Sequence, residues 1–321
     1  MTTTLAAPRR RLNADVARQI APTAVLVALV VAVSLKKDDF LSVDSLRTLA
    51  ESSAALLILA AGMTVVVMCG GIDLSVAALA SFSSVLFAKW VPDLGLKAIL
   101  PVVVVAGVAG GVQGFIHVQA QIPSFVVTLG GMALWSGLGL WISDATPTAI
   151  LDGSVIGFGE DRIAGLPKTV LLALIVALFV AAVMWATPVG RWVRAVGNSE
   201  TASYLSGVPV LSTKIGAFAF SGMCSGLAGC VIAARSYTGA PRLADTLLLP
   251  VVAAIVVGGT AITGGHGGIG RTVIGVMIVA VLRVGLSVVG IDQAWEQILY
   301  GGLVIVAAAI TIDRSKLTVL K

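Results

Sequence analysis

Long apolar runs separated by short polar breaks occupy almost the whole chain. A membrane-crossing helix needs roughly 17–25 mostly apolar residues. On that rule the pattern predicts spans near 20–35, 47–69, 73–90, 98–118, 125–142, 167–186, 213–234, 247–263, 269–289 and 294–312. The first is short as an apolar run and extends through Ala14–Ala17, while Ser and Gly dilute those at 73–90 and 125–142. The expected fold class is an all-α integral membrane protein of about ten transmembrane helices. Residues 1–19 form an N-terminal tail, 20–312 the transmembrane domain and 313–321 a C-terminal tail.

The breaks are as informative as the runs. Residues 143–166 form the largest loop on one side and carry Asp144, Asp152, Glu160 and Asp161. Residues 187–212 form the largest on the other, flanked by Arg191, Arg194 and Lys214, and 263–271 make a glycine-rich turn on that same side. An even helix number puts both termini on one face. If that face is the cytoplasm, eleven Lys and Arg lie inside and nine outside, with Arg283 within a span. The arginines at 9, 10, 11 and 18, before the first span, favour the inward placement. An apolar run after such arginines also resembles a signal peptide. Here it ends in Lys36-Lys37-Asp38-Asp39 with no small-residue cleavage site, so a retained span is expected.

Composition sharpens the reading. Hydrophobic residues make up 58% and charged residues 12%, against roughly 25% charged in ordinary globular proteins. Mean hydropathy is +1.03. So few charges could not cover a water-facing surface, so lipid is the outer solvent. The net charge of +5 reflects basic residues near helix ends, and no nucleic-acid partner is expected. Cys69, Cys224 and Cys230 lack metal-ligand spacing and read as reduced packing residues. His117 and His266 are isolated, so no metal site is expected. Nor is there a nucleophile–base set, which leaves catalysis without a seat.

Gly265-His266-Gly267-Gly268-Ile269-Gly270 fits the dinucleotide pattern G-x-G-x-x-G. That motif needs a preceding strand in a βαβ unit. Apolar helices are expected on both sides here, which makes the stretch a tight turn. Gly70-Gly71-Ile72-Asp73-Leu74-Ser75-Val76 is different. Two glycines break a helix, and Asp73 can cap the next by accepting N–H bonds. A broken helix at membrane depth also suits a water-filled path, and the two readings are compatible. Arg283, inside a span, must face the bundle interior or a wet cavity, snorkel to the interface, or pair with a carboxylate, for which Asp73 is a candidate. Candidate path residues are Asp73, Ser75, Thr128, Ser136 and Arg283.

The 187–212 loop predicts a short helix that Asn198 or Ser199 caps, Glu200 favours in its first turn and Gly207 ends. Such a helix either lies on the membrane surface or docks into a partner's groove. Small residues Gly107, Gly110, Gly111 and Gly114, with Gly222 and Gly226, point to closely packed helices.

At these residues the chain resembles the ribose-type permeases of bacterial ABC importers, whose relatives carry ribose, galactose, arabinose, xylose, inositol or autoinducer-2. The likeness spans about residues 46–312. It rests on Gly62-Met63-Thr64, Gly71-Ile72-Asp73-Leu74-Ser75-Val76, Ile122-Pro123-Ser124-Phe125 with Thr128-Leu129-Gly130, Gly190 to Gly207, and Val257-Gly258-Gly259-Thr260 followed by Gly264-Gly265. Three positions depart from the family pattern. Gly197-Asn198-Ser199 stands where Gly-Gly-Asn is usual, Ala77 where glycine is usual, and Arg283 where asparagine is expected.

The resemblance implies a type II-like permease bundle in the bacterial inner membrane, with both termini cytoplasmic. It implies pairing with a second copy or a homologous permease. A double-cassette ATPase, which binds ATP and Mg, would dock inside, and a periplasmic sugar-binding protein outside. This chain itself implies no cofactor and no ATPase activity. By position, Arg191, Arg194, Gly197, Asn198, Glu200, Ala202, Leu205 and Gly207 fall in the ATPase-coupling segment. The function so implied is import of a monosaccharide or related polyhydroxylated solute. The rival reading is an ion-coupled secondary transporter, which commonly needs intramembrane acids or broken helices.

Overall fold

A computed structural model describes residues 9–291 and 294–311, with side chains over 20–291 and 295–306. The sequence from 313 onward, with the C-terminal tail, lies outside the described residues. Thirteen α-helices occur among them: α1 (Arg9–Ser34), α2 (Val43–Met68), α3 (Val76–Leu94), α4 (Ile99–Gln119), α5 (Ser124–Ile142), α6 (Gly153–Glu160), α7 (Lys168–Ala186), α8 (Pro188–Asn198), α9 (Glu200–Leu205), α10 (Val210–Ser236), α11 (Leu248–Val257), α12 (Ile269–Val288) and α13 (Ala294–Thr311). Sheet is confined to two-residue pairings. β1 (Thr148–Ala149) meets a later strand at Thr238–Gly239, and β2 (Arg162–Ile163) pairs with β3 (Leu166–Pro167).

The expected helices appear, but the count of ten spans is not what length and hydropathy return. Among the described residues six stretches qualify: Val43–Met68, Val76–Gln119, Ser124–Ile142, Lys168–Ala186, Val210–Ser236 and Ile269–Val288. The difference has three physical sources. α3 and α4 are joined by a single 3-10 turn at Gly95–Ala98 and run on as one apolar stretch. Residues 258–263, expected to complete a span, leave the helix at Gly258, so α11 keeps only ten residues. The apolar parts of the first and last helices, Ile20–Ser34 and Trp295–Val306, are short.

α2 is buried around its whole circumference from Ser53 to Met68, as expected of a helix apolar on every side. α10 packs against α4, α2 and α3. Apolar burial gives no drive between helices in lipid, so close backbone approach must supply the attraction. Glycine provides it here. A side chain at Gly110 or Gly114 of α4 would run into Phe218 of α10, and one at Gly222 or Gly226 of α10 into Ala106 of α4. Thr64 and Thr272 share a buried hydrogen bond of 2.7 Å between α2 and α12. The three cysteines are buried and free.

Contacts between distant segments define two ends of the bundle. At one, the end of α2, the end of α8 and the turn between α11 and α12 meet through Gly70, Gly197, Gly264 and Gly265. At the other, the 143–166 loop folds over the ends of α3 and α10. Leu96 N–H donates to Ser154 Oγ (3.2 Å), Ile150 N–H to the Tyr237 carbonyl (2.8 Å), and Glu51 of α2 pairs with Arg235 of α10 (3.2 Å). Asp152 caps α6 through the amides of Ser154 and Val155. The Ser154 hydroxyl and those amides hold its exposed carboxyl below the usual aspartate range.

Candidate functional site

The break between α2 and α3 is the polar centre of the bundle. Gly70 adopts φ +80°, a left-handed conformation that costs glycine little, and the chain leaves the helix there. Asp73 is only 1% exposed. Its Oδ1 accepts from the Ser75 amide (3.0 Å) and Ser75 hydroxyl (2.6 Å), and its Oδ2 from Ser221 of α10 (2.8 Å). The first of these closes the turn before α3, but the helix starts at Val76 with Ser75 at its N-cap and no side-chain cap bond, so Asp73 does not cap α3 as expected. The extended segment is pinned from the other side by the start of α5. Ile72 N–H donates to Ser124 Oγ (3.0 Å), Leu74 N–H to Thr128 Oγ1 (3.1 Å), and the Thr128 hydroxyl back to the Ile72 carbonyl (3.2 Å). Backbone groups freed by the broken helix are thereby satisfied inside the protein, as their burial demands.

The structure thus brings Asp73, Ser75 and Thr128 together, and it adds Ser124 and Ser221. It does not bring Ser136 or Arg283 to them. Ser136 lies two turns further along α5, half-buried, about 12 Å from Thr128 along the axis. Arg283 of α12 pairs with Glu296 of α13 (3.3 Å), which is the carboxylate-pair reading, with a different acid from Asp73. Ser221 was discoverable as one of two serines, with Ser225, in an apolar run. Glu296 was not, because nothing local ties it to Arg283.

At the same level stands Gln113 of α4. It is 4% exposed, and both its amide nitrogen and its amide oxygen lack a hydrogen-bond partner among the described residues. Leaving a buried polar group unpaired costs about 1–3 kcal/mol. The indole N–H of Trp135 on α5 is buried and unpaired likewise. Gln113 was the one amide in the predicted 98–118 span, a signal the motif-based reading passed over.

The second centre is the α8–α9 elbow. α8 is strongly amphipathic, burying Gly190, Val193 and Val196 while Arg191 faces out and Arg194 is half-exposed. Asn198 closes it by donating to the Arg194 carbonyl (2.9 Å). Ser199 caps α9, its hydroxyl accepting from Ala202 N–H (3.3 Å), and Gly207 ends the elbow at φ +78°. Glu200 forms an ion pair with the largely buried Lys214 of α10 (2.5 Å), strapping the elbow to the bundle. Ala202, Tyr204 and Leu205 project outward, the last two 74% and 80% exposed.

Elbow and break are in direct contact. Gly265 N–H donates to the Met68 carbonyl at the end of α2 (3.0 Å). Gly197 lies over that bond so closely that a Cβ there would overlap both atoms, and a Cβ on Gly265 would overlap Asn198. Thus the glycine-rich turn carrying the dinucleotide-like pattern is a joint. A helix, not a strand, precedes it, and Gly264, Gly265, Gly267 and Gly268 all take positive φ. His117 serves locally, its Nδ1 bonding the Ile122 carbonyl (2.6 Å).

The family model for the permease component of branched-chain amino acid transport systems matches residues 45–308. The chain is 32% identical to the ribose import permease of Haemophilus influenzae, over 88% of this chain and 89% of that one. It is 30% identical to the ribose import permease of Bacillus subtilis, over 98% and 99%, and 30% identical to the D-allose transport system permease of Escherichia coli, over 91% and 90%. No solved structure matches.

Proposed function

Because the chain belongs to this family of membrane permease components, among its ribose-type members, we propose that it is the transmembrane subunit of an ATP-driven sugar importer. It passes a monosaccharide or related polyhydroxylated solute handed over by a periplasmic binding protein. Hydrolysis of ATP with Mg belongs to a double-cassette partner, and a second copy or a homologous permease completes the bundle. In this reading the elbow end faces the cytoplasm, with both termini, and the 143–166 loop faces the periplasm. The polypeptide then crosses ten times, with α11 as a short crossing that ends in the glycine joint.

The observation that carries the proposal is the elbow resting on the break. Tyr204 and Leu205 offer an exposed apolar tip to a docking partner. Beneath it, Gly197 sits against the end of α2, next to the segment that holds Asp73. Movement of the elbow cannot be absorbed at Gly197, where there is no free space, so it reaches the break. Two packed arrangements of the bundle then alternate. Arg191, Arg194, Gly197, Asn198, Glu200, Ala202, Leu205 and Gly207 form the coupling segment. Asp73, Ser75 and Thr128 line the inner part of the path.

The ion-coupled alternative has one credible acid, Asp73. Its oxygens already accept three bonds from Ser75 and Ser221, which is a structural duty. The test is sugar uptake in cells that carry the whole system. Uptake should persist when the ion gradient is collapsed and stop when ATP is depleted; the reverse result rejects the proposal. Glu200→Arg, which sets like charge against Lys214, should abolish both ATPase co-purification and uptake.

A further inference from the structure

Gln113 has no structural task that explains its amide. α4 packs on α10 through Gly110 and Gly114, against Phe218 and Gly222, and Gln113 occupies the same turn of α4. Ser221, in the matching turn of α10, bonds Asp73. Gln113 therefore shares the level of the Asp73 break. Its amide points across the seam between α4 and α5, where Gly131 leaves the necessary gap; a Cβ there would overlap the Gln113 amide oxygen. One turn along α5 from Gly131, the unpaired indole N–H of Trp135 sits beside Phe82, ring centroids 5.7 Å apart. Packing alone would be served better by leucine at position 113, since among the described residues nothing bonds the amide.

We propose that Gln113 is a substrate-contacting residue. Its carboxamide pairs with hydroxyls of the passing solute when α5 separates from α4, with the Trp135 N–H as a second donor. The inference rests on the sugar-importer reading above. Its chemistry matches that substrate class: an amide both donates and accepts, as a vicinal diol does, and it is uncharged. A cation site would need several converging oxygens and an anion site a positive charge; the two unpaired groups here, the Gln113 amide and the Trp135 N–H, supply neither. α5 is also placed to move. Its first turns are fixed by Ser124 and Thr128 to the 72–74 segment, which the elbow reaches through the glycine joint. Further along, Leu134 and Trp141 are exposed. With the seam closed, Gln113 is hidden from solute; opening it presents a paired donor and acceptor to the path.

The experiment uses the complete transporter with its ATPase and binding protein, and measures uptake of radiolabelled ribose and allose together with thermal unfolding of the permease. Gln113→Leu removes both unpaired atoms at similar volume. It should leave the melting temperature unchanged or raised and ATPase association intact, while maximal uptake falls about ten-fold, the worth of one good hydrogen bond. The ratio of ribose to allose rates should shift. Wild-type rates and ratio in this variant would overturn the inference, and so would a lowered melting temperature, which would reveal a structural partner for the amide. Trp135→Phe removes the N–H together with part of the indole ring, so its rate is read against its melting temperature: a several-fold loss of rate at unchanged melting temperature supports the role, and an unchanged rate, or a loss matched by a lowered melting temperature, counts against it. Wild-type uptake is the control. Its absence would sink the importer reading, whereas its presence beside an unaffected variant would sink only the role of Gln113.

Discussion

Gly197→Ala is the smallest change that attacks the joint between elbow and break. The added methyl group overlaps the Met68 carbonyl oxygen and the Gly265 amide, which are bonded to each other at 3.0 Å. Both are backbone atoms and cannot swing aside as a side-chain tip could. Overpacking a tight site costs about 1–3 kcal/mol, and separating a buried donor and acceptor without replacement about 1–3 kcal/mol more. Together they come to about 2–6 kcal/mol. A shift of about 3 kcal/mol already changes a two-state equilibrium by roughly two powers of ten, so an arrangement that needs the joint closed becomes rare. The assay pairs thermal unfolding in detergent with sugar uptake and sugar-stimulated ATP hydrolysis by the assembled system. Gly216→Ala in α10 is the control, because a Cβ there meets nothing within 4 Å. Gly197→Ala should lower the melting temperature and uncouple hydrolysis from uptake; Gly216→Ala should do neither. If Gly197→Ala behaves like the control, force does not pass through this contact.

Three further outcomes follow from individual bonds. Ser221→Ala removes the only donor to Asp73 Oδ2 among the described residues. Leaving a buried polar atom without its partner costs about 1–3 kcal/mol, so a lowered melting temperature is expected, and an unchanged one would show that the bond is idle. Arg283→Asn leaves Glu296, whose side chain is 12% exposed, without its partner; breaking a buried pair costs about 3–5 kcal/mol, so a lowered melting temperature is expected, and an unchanged one would show that the pair is idle. The cap at Asp152 has a pH signature. Its carboxyl is held below the usual range, so its contribution is present above the ordinary aspartate value of about 3.9 and fades as pH falls through the lowered one. Amide exchange at Ser154 and Val155, corrected for intrinsic rates, should rise only in that acid window.

What the sequence disclosed follows the range of each interaction. The second half of the elbow was legible almost residue by residue, since caps and turns are local: Ser199 starts α9 and Gly207 ends the segment as their chemistry requires, whereas the separate helix α8 before it was not expected. The helical, membrane-embedded character was legible from hydropathy, whereas the length of each helix was not. A single 3-10 turn separates α3 from α4, and the glycines after Val257 cut α11 short. The break at Gly70 was visible, but its consequences were not. Gly70, Gly197 and Gly265 come from far-apart segments, and no periodicity tells that they share one joint. The same holds for Arg283, whose partner Glu296 lies on the next helix. Gln113 needed both views, as an amide in an apolar run and as a buried group with no partner.

The claim most exposed to direct test is that an outside motor grips the elbow. All three native cysteines are buried, so a cysteine replacing Tyr204 would be the sole accessible thiol among the described residues. One replacing Leu151, 85% exposed at the opposite end, is its counterpart. In membranes holding the whole transporter, Tyr204→Cys should cross-link to the ATPase subunit and resist impermeant thiol reagents added outside, while Leu151→Cys reacts with them and never reaches the ATPase. Labelling of Tyr204→Cys from outside, or cross-linking of the ATPase at Leu151→Cys instead, would contradict the account.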